Sequence, residues 1–69
     1  MQYHYYVNDN QQSNGDHEVH RDGCYYLPQI VNKTYLGMFP NAVQAVQKAK
    51  QYHLQSNGCA YCSPEAHTD

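Results

Sequence analysis

Four side chains of metal-binding type stand in two pairs near the two ends of the chain. Cys59 and Cys62 form a Cys-x-x-Cys step, and His20 and Cys24 stand four apart around the tight-turn signal Asp22-Gly23. Two thiolates at the first spacing chelate one tetrahedral ion from a single turn. Adding the His20–Cys24 pair would complete a three-cysteine, one-histidine set, a common structural zinc site. His53 and His67 are further candidates, either in place of His20 or as groups that orient a ligand. Two other readings stay open. Free cysteine is often only a small buried hydrophobe. A Cys-x-x-Cys pair also invites thiol–disulfide chemistry, but that motif belongs at a helix N-terminus in a βαβ setting, where the first thiol's pKa falls. Here the pair follows the helical segment, and no βαβ pattern is evident around it.

Other constellations are weaker. His17-Glu18-Val19-His20 has two histidines three apart in a strand-like segment. They point to opposite faces, unlike the helical pair four apart that a metalloprotease needs. Asp16 and Glu18 read as solvated charges. No nucleophile with a positioned base and no phosphate-cradling glycine loop is present, so the expectation is a protein that is not an enzyme. The tyrosine groups Tyr3/Tyr5/Tyr6 and Tyr25/Tyr26 read first as core and cross-strand packing. Their second reading is a protein-interaction surface, one that would work without any metal.

The elements that must position these residues can be read from periodicity. Residues 2–8 alternate as a strand, with Tyr3, Tyr5 and Val7 on one face. The polar stretch 8–16, with Asn14-Gly15, reads as a hairpin loop before a second strand over 17–21. Pro28 interrupts the apolar run after Cys24, leaving an extended piece or one helical turn there. A third strand spans 34–39, with Gly37 as its weak spot or bulge. A helix follows over about 40–55, capped by Asn41 or started by Pro40, with Ala42, Ala45, Val46, Ala49 and His53 on one face. Asn57-Gly58 supplies a left-handed stop, and the cysteine-containing tail has no periodicity. The architecture expected is α+β: a small antiparallel sheet of about three strands covered by one helix, in a single domain over 1–69.

Composition sets the bounds. A chain of 69 residues buries only about 60% of its unfolded surface, so a metal, partner or unusually tight packing usually supports it. The aromatic content is eight tyrosines, one phenylalanine and no tryptophan, which makes for a thin core with a partly aromatic surface. Only Arg21, Lys33, Lys48 and Lys50 are basic and the net charge is −2, which argues against nucleic acid and against an electrostatically held membrane protein. No run approaches the roughly 18 apolar residues of a membrane span. Met1–Tyr6 lacks the basic start and apolar run of a secretory leader. The expected location is cytoplasmic, where thiols stay reduced and an odd cysteine count favours metal or buried thiols over disulfides. A protein is the partner class left open.

Taken in order, these residues resemble a known module. Glu18-Val19-His20, Cys24-Tyr25-Tyr26-Leu27, Leu36-Gly37-Met38-Phe39, the Ala45/Ala49 helix and Gly58-Cys59-x-x-Cys62-Ser63-Pro64 form a sequence similar to small domains related to the metal-binding domain of the Ada DNA-repair protein. The chain also looks like short bacterial cysteine/histidine proteins of similar length. The resemblance covers residues 17–69 and implies that His20, Cys24, Cys59 and Cys62 hold zinc. Val19 and Gly58 replace the usual tyrosine and proline beside the ligands, and the stretch Tyr52 to Gly58 is longer. Ala66 stands where related short proteins often carry another cysteine. DNA repair is not implied, because the methyl-acceptor motif and a basic DNA-binding surface are both absent.

Overall fold

Alternation of large and polar side chains sets the first strand, β1 (Tyr3–Asn8), with Tyr5 and Val7 buried on one face. In the computed structural model, which describes residues 1–68, β1 is a central strand. It pairs antiparallel with β2 (His17–Arg21) on one side and with β3 (Lys33–Phe39) on the other. The polar loop between β1 and β2 closes as expected, with Gly15 at φ +93°. In β3 the register slips opposite Tyr5 and Tyr6, so that Leu36 is the extra residue of a bulge. Gly37 takes φ +114° there, a conformation that suits glycine.

The helix α1 (Ala42–Ala49) begins as its cap signal requires: Asn41 Oδ1 accepts from the Gln44 amide at 3.0 Å. Ala42, Ala45, Val46 and Ala49 are buried against Tyr5, Val7, Val19 and Leu36. Small alanines let the helix axis sit close to the sheet, which is how a thin core reaches good density.

The expected helix over 40–55 is too long. α1 ends at Ala49, and the chain turns through Gln51 and Tyr52. Local propensity would carry a helix further, but tertiary bonds win. His53 bonds Asp9, just past the end of β1, at 2.9 Å, and the His17 amide donates to the Gln55 carbonyl at 2.9 Å. These contacts draw the chain into a fourth strand, β4 (Ser56–Gly58), parallel to β2. The order is β3-β1-β2-β4, so the sheet is mixed and four-stranded where about three antiparallel strands were expected. Since β3 and β4 run the same way, β3–α1–β4 is a βαβ crossover that skips two strands, a pattern the sequence reading did not find. Asn57-Gly58 is therefore not a left-handed helix stop. Gly58 is glycine for space: a Cβ there would stand 2.7 Å from the Ser63 carbonyl oxygen and 2.9 Å from Ala66.

The tail is less irregular than its sequence suggests. Pro64–Ala66 forms a 3-10 turn packed on α1, and Glu65 Oε2 accepts from the Ala42 amide at 2.9 Å. A carboxylate at a helix N-terminus is favourable in both charge and hydrogen bonding. Leu27–Gln29 forms the single helical turn allowed for after Cys24. Among the described residues, no helix is long and apolar enough to cross a membrane.

Candidate metal centre

Strand alternation splits the sheet between two small cores. Val19 faces the helix, so His20 faces away from it, directly opposite Tyr6 of β1. On that second face Cys24, Leu27 and Cys59 are buried, with Tyr6, Ile30 and Cys62 packed around them. A one-residue slip in β2 would send His20 into the helix core and destroy the arrangement.

Four elements deliver the candidate ligands. His20 comes from β2. Cys24 comes from the turn at Asp22-Gly23, closed by its own amide on the Arg21 carbonyl at 3.0 Å, with Gly23 at φ +91°. Cys59 leaves the end of β4, its amide bonded to the Val19 carbonyl at 3.0 Å. Cys62 is set by the next turn, in which the Ser63 amide bonds the Cys59 carbonyl at 2.8 Å. One nitrogen and three sulfurs come within 4.8 Å of one another, and His20, Cys24 and Cys59 are buried.

The geometry can be tested against a tetrahedral ion. Zn–S bonds of about 2.3 Å and Zn–N bonds of about 2.0–2.1 Å place sulfur about 3.5 Å from nitrogen and about 3.8 Å from another sulfur. His20 Nδ1 is 3.6 Å from Cys24 Sγ and 3.7 Å from Cys62 Sγ. The donor set could hold a metal ion, and these two nitrogen–sulfur distances match tetrahedral spacing. All three cysteines are free of disulfides.

The surroundings bear on charge. Burial pushes the Cys62 thiol up to about 12, and the neighbouring Cys24 adds to this. The Arg21 amide, donating to Cys62 Sγ at 3.4 Å, and the Ser63 hydroxyl pull the other way. A dication among these thiols would invert the balance and favour thiolates. Burial lowers the pKa of His20, against an opposing pull from Glu18. Its neutral form is the one a metal takes.

Glu18, read from sequence as a solvated charge, belongs to this site. Its Oε1 lies 3.5 Å from His20 Nε2, on the side of the ring away from the sulfurs. Carboxylates placed like this fix a ligating histidine's tautomer and ring direction. The signal was present in sequence: residues two apart on a strand share a face.

His53 and His67 do not join the cluster. His53 Nε2 bonds Asp9, and its ring stacks on His17 at 3.9 Å between centroids. His67 Nδ1 bonds the Gly58 carbonyl at 2.9 Å, beside the site. His17 and His20 do face opposite ways, as strand geometry requires. The tyrosines divide by role. Tyr5 is core, Tyr3 lies under Arg21 at 4.7 Å, and Tyr6 packs on Tyr35. Tyr25, Tyr26 and Tyr61 are exposed and touch edge to face. No known protein family, curated protein or solved structure matches this chain.

Proposed function

We propose that the chain is a small non-catalytic binding module in which His20, Cys24, Cys59 and Cys62 hold one structural zinc ion. The observation that carries this is the convergence of four metal-type donors within 4.8 Å of one another on one face, with His20 Nδ1 at 3.6 and 3.7 Å from two of the sulfurs. The likeness in ligand order to Ada-related metal-binding domains points the same way. Four protein ligands close the coordination sphere and leave no position for substrate, which is the mark of a structural site. The ion would reinforce the small core of the second sheet face, which Cys24, Leu27 and Cys59 form.

The same ion would fix a surface. Tyr25 and Tyr26 follow Cys24 directly, and Tyr61 lies between Cys59 and Cys62. Clipping the two loops together holds the three exposed rings side by side, and contiguous exposed aromatics commonly mark protein contacts. A metal-free domain acting through these tyrosines is the second reading. It rests on the same three rings.

The deciding measurement is elemental analysis with native mass spectrometry on protein purified without chelator. The expected result is about one zinc per chain, lost in Cys59→Ser and in His20→Ala. A metal-free chain with three titratable thiols and an unchanged melting curve in chelator would leave the tyrosine reading standing alone.

A further inference from the structure

An open cleft of about 470 Å³ lies beside the candidate metal centre, with His20 and Cys59 in its wall. Its remaining lining is Asn8, Gln12, Glu18, Tyr26, Gln29, Ile30, Ala60 and Tyr61. The charge of this lining is one-sided. It contains one carboxylate, three carboxamides and two tyrosines, and none of the four lysines and arginines of the chain. Glu18 Oε1 lies 3.5 Å from His20 Nε2, and its side chain lines the cleft and is 22% exposed, which leaves acceptor capacity there. The Gln29 amide nitrogen lies 3.5 Å from the Tyr25 carbonyl, and Gln29 also lines the cleft. Tyr26 and Tyr61 meet edge to face at 5.6 Å and offer ring surface at the rim.

We infer that this cleft is a recognition site for a guanidinium group, the side chain of an arginine presented by a peptide. A planar cation with several N–H donors suits a lining that holds a carboxylate, carboxamide oxygens and no competing cation, and it stacks on tyrosine faces better than an ammonium does. The carboxylate of Glu18 supplies the charge-assisted bond. The inference rests on the reading of the chain as a binding module and names the chemistry of its partner. Zinc held by three thiolates and a neutral imidazole carries one net negative charge, which would add to that of Glu18.

The test is a titration of the full chain with N-acetyl-arginine methylamide, followed by amide NMR, with zinc content measured on the same sample. N-acetyl-citrulline methylamide, the neutral isostere, and the lysine analogue are run alongside. The expected result is at least about tenfold weaker binding of citrulline, with shifts centred on Glu18, Ala60 and Tyr61. The lysine probe should fall between the two. Tyr61→Ala, which removes an exposed ring, should weaken arginine binding several-fold in protein whose amide spectrum is otherwise unchanged, and Glu18→Gln should do so in samples whose measured metal content equals that of the parent chain. Equal binding of citrulline and arginine, or shifts away from the cleft, would overturn the inference. A zinc-loaded chain that ignores arginine defeats the cleft assignment alone. Arginine binding to a zinc-free chain defeats the metal reading alone.

Discussion

At the scale of single residues, the site depends on which way one imidazole points. Glu18 sits behind His20 Nε2 and leaves Nδ1 to the sulfurs. Replacing Glu18 by Gln keeps the shape and removes the charge. The expected result is a fall in zinc affinity of about 10–100-fold, read by competition with a chromophoric chelator, with the fold intact. A second residue-scale test concerns acid. The hydrogen bond from His53 lowers the pKa of Asp9, and Thr34 adds a smaller pull against burial. A carboxylate lowered by folding contributes stability above its unfolded pKa and loses it as pH falls through the folded value. Thermal stability should therefore drop on the acid side of the ordinary carboxylate range, and Asp9→Asn should flatten that part of the profile. Melting curves from pH 5 downward would check it, and an unchanged slope would count against the Asp9–His53 contact.

At the scale of elements, Gly58 is where strand, tail and site meet. A methyl group there would press on the Ser63 carbonyl and on Ala66, both on the main chain that carries Cys62 and the helix-docking Glu65. Backbone cannot move aside as a side-chain end can, so Gly58→Ala should cost about 1–3 kcal/mol, measured by urea denaturation. This position also shows where sequence reading stopped. Asn57-Gly58 has the form of a helix stop, and only the packing of a distant tail reveals a steric reason for the glycine. The same limit hid β4, because three polar residues have no alternation to read and their pairing is set by β2. Elements whose own residues carry the pattern were legible. These include the alternating β1, the β2 hairpin arm, the Gly37 bulge, the Asn41 cap and the alanine face of α1. The four ligand candidates were legible by type and spacing. That His53 goes to Asp9 instead is a long-range contact that no local spacing encodes.

At the scale of the whole molecule, two thin cores sit on opposite faces of one sheet. A hydrophobic core in a chain this short rarely supplies more than about 3–5 kcal/mol. Structural zinc in small domains contributes apparent values of about 10–16 kcal/mol, more than that whole margin. With zinc held as proposed, chelation should therefore unfold the chain cooperatively at ordinary temperature, read by loss of amide dispersion, and the melting temperature should climb with free zinc. A chelated chain with native spectra on both faces would show that the helix-side core suffices.

The two halves of the ligand set reach their places by different routes. His20 and Cys24 are carried by the local β1–β2 hairpin and the turn after it, while Cys59 and Cys62 arrive only once the β3–α1–β4 crossover has spanned two strands. Contacts between parts so far apart in sequence form late, because loop closure must come first. An ion needing all four donors is then predicted to act after the main barrier. Zinc should slow unfolding strongly and leave the refolding rate nearly unchanged, so the ion would act as a latch on a finished chain rather than as a template for it.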